Sequence, residues 1–181
     1  MKEKMLQEDK AYQLICRASG FFAAAQIIVD SGNNNAELRA PVAHLIAHGC
    51  EILMKHILVI GGLDIKAVGK FFGHEIKLLW EAPDIAEFQE IVLEQAADSW
   101  RAAKASGKFD DDFNQDPKEL LVQCLDELDR LHTNKSNYAL RYTTDVYDTA
   151  PLPSFLLDTF RPVADRFRSR YLLSQRVQNN V

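Results

Sequence analysis

Apolar residues along this chain recur at three- and four-residue intervals, and no stretch alternates with period two, so the pattern predicts helices and no β-sheet. The first helix is expected from about Lys4 to Asp30, where SGNNN ends it. A second spans roughly Leu38 to Ile60 and stops at Gly61-Gly62. After a short connection, GHEIKLLWEA starts a brief third helix that Pro83 interrupts. A fourth runs from Asp84, a candidate N-cap, to about Ser106. The tract GKFDDDFNQD reads as a loop. Asp116-Pro117-Lys118-Glu119 then places a cap, a proline at the first helical position and an acid near the start of a fifth helix ending at about His132. The irregular segment TNKSNYALRYTTDVYDTAPLP leads to a last helix from Ser154 to about Gln178, expected to bend near Pro162. The fold class predicted is all-α, an up-and-down helical bundle of about five to six helices.

A length of 181 residues with 47% hydrophobic content suits a single domain with one core. The net charge of −5 gives no bulk attraction for nucleic acid. The charge is nevertheless uneven. Residues 81 to 130 carry fourteen acidic against five basic side chains, whereas residues 161 to 181 carry five arginines and one aspartate. Arg161, Arg166, Arg168, Arg170 and Arg176 therefore form the basic surface, as a solvated face or as partners of the acidic helices. The start of the chain resembles neither a signal nor a transit peptide, and no run of 18 apolar residues occurs, so a cytoplasmic protein with no membrane partner is expected. Cys16, Cys50 and Cys124 are widely spaced within apolar helical patterns, as buried thiols are.

Candidate chemistry concentrates in HLIAHGCEILMKHIL, residues 44 to 58. At about 100° per residue, His44, His48, Glu51 and Lys55 fall within an arc of about 60°, forming one polar stripe between apolar borders. His56 lies on another face. Glu51 and Lys55 at i,i+4 can neutralise each other, the structural reading of the stripe. His44, His48 and Glu51 also offer metal-ligand atom types, but the spacing is common and the zincin order, with Glu directly after the first His, is absent. In the acidic loop, Asp110, Asp112 and Asn114 suggest a calcium loop, yet Gln115 stands where glycine is required and Leu121 where the bidentate glutamate belongs. No metal and no cofactor is expected.

Three pieces in order, AHGCEILMKHILVIGG, FFGHEIKLLW and NYALRYTTD, make residues 38 to 175 resemble the HEPN superfamily of small helical domains. The family pattern maps onto Glu51 and Lys55, onto His74-Glu75-Ile76, and onto Arg141-Tyr142. The resemblance implies a helical bundle and, in active members, metal-independent cleavage of RNA by an Arg followed after four to six residues by a His. After Arg141 the three allowed positions hold Val146, Tyr147 and Asp148. Arg39 and His44 have the spacing, but ten arginines and five histidines make one such match expected by chance, and this one opens the second helix. The expected function is a non-catalytic HEPN-like domain binding a nucleotide, RNA or protein partner through His48, Glu51, Lys55, His74 and Arg141. Lys55 and Arg141 would meet phosphate or carboxylate groups, and His74 would donate from a ring nitrogen. The alternatives are a metal-independent ribonuclease of the toxin or defence type using Arg39 and His44, and a purely structural dimerisation module. A homodimer is expected in either case.

Overall fold

The structure, a computed structural model, describes residues 2–32, 36–107, 114–140 and 152–178. These form seven α-helices and no strand among the described residues: α1 Lys2–Asp30, α2 Arg39–Ile60, α3 Ile65–Phe72, α4 Ile76–Trp80, α5 Ala86–Ala105, α6 Pro117–His132 and α7 Pro153–Gln178. The all-α class agrees with the periodicity, and two corrections concern the count. The connection after Gly61-Gly62 contains α3, where Ile65, Val68 and Phe72 repeat at helical spacing. The Asp64 side chain caps it, accepting from the Lys66 and Ala67 amides at 2.9 and 3.0 Å. Eight residues with a glycine inside were too short a pattern to stand out. Asp84, in turn, is not a cap: Pro83–Ile85 forms a 3-10 turn, and α5 begins at Ala86 without a side-chain cap.

The other helix start carrying a clear signal is as expected. Asp116 accepts from the amides of Lys118 and Glu119 at 2.8 and 3.2 Å, with Pro117 in the first turn where no amide is needed.

Helix α2 is the centre of the bundle and touches α1, α3, α4, α6 and α7, while α5 packs against α6 and α7. Its apolar faces bury Ile46, Cys50, Leu53, Met54 and Leu58 completely. Ile15 and Phe22 from α1 and Leu156 and Phe160 from α7 join the same core, with the rings of Phe22 and Phe160 stacked at 6.2 Å. Segments Glu8–Asp30 and Ala36–Ile60, each with mean hydropathy 1.3, are long and apolar enough to cross a membrane. Two thirds of the second is covered by the rest of the fold, as a core helix must be.

Pro162 sits inside α7, which continues through it. Proline has no amide, so the carbonyl four residues earlier, Asp158, loses its helical donor. That carbonyl accepts instead from Ser99 Oγ at 2.8 Å and Gln95 Nε2 at 3.3 Å, both on α5. A helix-breaking residue is thereby turned into an α5–α7 tie.

Of the basic residues of α7, Arg161, Arg166, Arg168 and Arg170 are exposed. Arg161 approaches Asp165 of its own helix at 4.0 Å, and among the described residues no ion pair joins these arginines to α5 or α6. This is a solvated basic face; Arg176 lies outside the described side chains.

Candidate functional site

The polar stripe of α2 points at the place where the α3–α4 turn and the end of α6 meet it. Glu51 is the hub, a carboxylate only 3% exposed. Lys55, one turn on, donates to Glu51 Oε1 at 2.6 Å and also to the carbonyl of Gly73. Gly73 takes φ 53° and ψ −121°, a conformation that only glycine adopts without strain, so the turn delivering this carbonyl depends on it. The next residue, His74, brings Nδ1 to 3.1 and 3.2 Å from the two Glu51 oxygens. Its side chain remains 55% exposed and forms the mouth of the cluster.

From the other side comes His132, the last residue of α6 and fully buried, with Nε2 at 2.9 Å from Glu51 Oε2. His48 Nδ1 stands 3.6 Å from the same oxygen. The imidazoles pack on one another: His48 lies 4.5 Å from His44 and 4.7 Å from His132, and His44 lies 5.6 Å from His132, between ring centroids. Phe21 of α1 stacks on His48 at 5.3 Å and closes one wall. Three of the five histidines in the chain thus approach one carboxylate, and a fourth, His44, packs against two of them. The fifth, His56, is buried on the far face with Nδ1 2.9 Å from the Ala11 carbonyl, and burial lowers its pKa.

What holds α6 in register is a second buried carboxylate. Asp129 is 2% exposed and its Oδ1 accepts from the amide of Lys77 at 3.0 Å, serving as a cap for α4, whose own cap residue Glu75 makes no such bond. Its Oδ2 receives the ammonium of Lys135. Three residues on, His132 emerges on the Glu51 side. Lys77 in turn donates to Asp126 at 3.2 Å, joining α4 to α6 at the surface.

Electrostatically, burial opposes ionisation of Glu51, but His132, His48 and the Lys55 ammonium together outweigh it and hold the carboxyl far below the usual carboxylate range. The site is therefore an anion surrounded by N–H donors, with an opening at His74. It can orient a proton donor, hold a cation or dock a small polar ligand; Cys50, the residue before Glu51, is not an activated nucleophile, being fully buried with its thiol pKa pushed up by desolvation.

Four residues expected at the site from sequence, His48, Glu51, Lys55 and His74, are together. Arg141, with Tyr142, lies outside the described residues, as do Asp110 and Asp112 of the acidic loop. Lys55 is engaged with Glu51 and Gly73, so its role is internal neutralisation more than ligand contact. His44 joins the cluster, but Arg39 does not accompany it: five helical positions turn Arg39 about 140° away, and it is exposed in the first turn of α2. His132 was given no role in the sequence reading. Its contact with Glu51 spans 81 positions, and the only local hint was a histidine ending a helix otherwise rich in leucine. Compared with protein-family models, with curated proteins and with solved structures, the chain matches none of them.

Proposed function

We propose that this protein is a HEPN-like binding domain without hydrolytic chemistry of its own, taking a nucleotide or an RNA phosphate at the mouth formed by His48 and His74. The observation that carries this reading is the convergence of α2, the α3–α4 turn and α6 on one buried carboxylate that fixes imidazoles at a solvent opening. An imidazole whose Nδ1–H is held by Glu51 is oriented with Nε2 free, and its imidazolium form donates from there to a phosphate oxygen. The absence of a histidine at the three allowed positions after Arg141, which hold Val146, Tyr147 and Asp148, supports binding over cleavage, because charge stabilisation and proton transfer must act on the same phosphate.

Fluorescence anisotropy of a labelled single-stranded oligoribonucleotide, with ATP as competitor, tests it. Binding should weaken linearly in log–log form with rising salt. His74→Ala should reduce affinity by about 10-fold, the equivalent of roughly 1.4 kcal/mol for one charge-assisted contact. The RNA should emerge uncut. Absence of binding at low salt, or binding indifferent to His74→Ala, sinks the proposal. Cleavage abolished by His44→Ala in a folded protein would instead establish the ribonuclease reading with Arg39 and His44.

A second reading, the self-associating module, has its own observation. Between residues 60 and 71, at the α2–α3 corner, Ile60, Leu63 and Phe71 are 48%, 37% and 71% exposed. Apolar side chains so exposed commonly mark a partner surface. Sedimentation should show a dimer insensitive to salt, shifted toward monomer by Phe71→Asp. A monomer at all concentrations removes this reading.

A further inference from the structure

We infer that Glu51, His74 and His132 form a binding site for one divalent transition-metal ion, zinc by the chemistry of the donors, with the fourth position left to water. This does not depend on a nucleotide or RNA ligand.

The argument is first geometric. Glu51, His74 and His132 present ligand atoms within 4.8 Å of one another, and His132 belongs to a second such group with His44 and His48. Individual separations are closer: His132 Nε2 and His74 Nδ1 stand 2.9 and 3.2 Å from the single atom Glu51 Oε2, while His48 Nδ1, at 3.6 Å, lies outside this group. Four ligands about 2.0 to 2.2 Å from zinc in a tetrahedron are separated by roughly 3.3 Å along each edge. The edges from Glu51 Oε2 to His132 Nε2 and His74 Nδ1, 2.9 and 3.2 Å, lie near that value. An ion can therefore replace the protons now shared along these edges after small side-chain rotations.

The donors select the class of metal. Two imidazoles and one carboxylate are borderline nitrogen and oxygen ligands that suit zinc and its neighbours; calcium and magnesium require more oxygens. No cysteine is in the set. The supporting groups also fit. Lys55 holds Glu51 Oε1 and leaves Oε2 as the coordinating atom, while the Gly73 carbonyl fixes Lys55. Such outer contacts orient metal-binding carboxylates. Beyond them, the α4–α6 seam carries Glu75, Glu81, Asp126 and Asp129 against Lys77 and Lys135, two more negative charges than positive, which favours an incoming cation. Burial of His132 and Glu51 beneath the half-exposed His74 gives one path of entry, with His74 the last ligand to engage.

The sequence offered only His44, His48 and Glu51 on one helix, a spacing too common to carry a metal site. Two histidines 58 positions apart, His74 and His132, change that, because the α3–α4 turn and α6 bring both to the same carboxylate.

The test uses the full chain, stripped with chelator and with no nucleotide present. Calorimetry with Zn²⁺ at neutral pH should show one equivalent bound. Co²⁺ should give the intense visible absorption of a four-coordinate site and be displaced by Zn²⁺. His74→Ala, changing a half-exposed residue and leaving helicity intact by circular dichroism, should lower Zn²⁺ affinity by more than about 100-fold, since loss of an outer-shell partner alone costs about 10- to 100-fold. A folded wild-type protein that takes up no stoichiometric Zn²⁺, or equal Zn²⁺ affinity in wild type and His74→Ala, overturns the inference. Either result leaves the RNA-binding measurement standing on its own.

Discussion

Glu51→Ala is expected to lower the melting temperature more than any other single change at the polar cluster. The substitution removes the acceptor for Lys55, His74 and His132 together and leaves a largely buried ammonium with only the Gly73 carbonyl. Removing one partner of a buried ion pair costs about 3 to 5 kcal/mol. His74 can turn to water and Lys55 can extend toward the surface, so the lower figure applies. At about 2 to 4 °C per kcal/mol for a domain of this size, the melting temperature should fall by about 6 to 12 °C. Glu51→Gln separates charge from shape. Its carbonyl can still accept, but its amide nitrogen faces donors on every side, so it should recover less than half of the loss. The acid limb gives an independent check. Because the folded-state pKa of Glu51 is depressed, its contribution is present above the unfolded value of about 4.3 and is lost as pH falls below it toward the folded pKa. Wild type should therefore lose stability more steeply than Glu51→Gln below about pH 4.3 in urea melts. Equal acid slopes, or a change under about 1 kcal/mol in Glu51→Ala, would mean that the cluster is wetter and looser than its burial implies.

How far this site could be read from the chain depends on the range of each interaction. The stripe of His44, His48, Glu51 and Lys55 follows from helical angles alone, and the structure places His48, Glu51 and Lys55 in the cluster with His44 packed beside them. His74 entered through the His-Glu-Ile step that resembles the HEPN pattern, which local chemistry does not demand. His132 had no such signal: whether the end of α6 meets α2 is decided by Asp129 capping α4, a tertiary contact joining residues 52 positions apart. The missing helix, α3, is the converse case. Its cap at Asp64 and its apolar spacing were both present, but the eight residues after Gly61-Gly62 read as a connection, and burial of Val68 and Phe72 holds them as a helix despite Gly69. The same holds for Pro162. A bend was expected because proline removes a helical bond, and the acceptor it frees was found to be satisfied from α5 by Ser99 and Gln95, which no reading of α7 alone could supply.

Gly49 tests the packing of α1 against α2, a feature with no trace in the polar pattern. In the middle of a helix, Gly→Ala normally stabilises by about 1 kcal/mol through lost unfolded-state entropy and better helix propensity. At Gly49 a Cβ would lie 2.6, 2.8 and 2.9 Å from Cε1, Cζ and Cδ1 of Phe22, closer than real Cβ contacts come. The ring cannot retreat freely, because Phe22 is fully buried and stacked on Phe160 of α7. Relief requires α1 to move away from α2 or the ring to leave its rotamer, and overpacking of this kind costs about 1 to 3 kcal/mol. The penalty exceeds the propensity gain, so Gly49→Ala should destabilise by about 1 to 2 kcal/mol, and Gly49→Val, with two more carbons at the same contact, by several. Gly20, exposed on α1 with nothing within 4 Å of its virtual Cβ, is the control and should gain about 1 kcal/mol as alanine. Trimming the ring as Phe22→Leu should rescue part of the Gly49→Ala loss, giving a coupling of at least about 0.5 kcal/mol in a double-mutant cycle. If Gly49→Ala and Gly20→Ala both stabilise in urea denaturation, the close approach of α1 and α2 at Phe22 does not exist in solution, and the core must be packed around a different contact between the two helices.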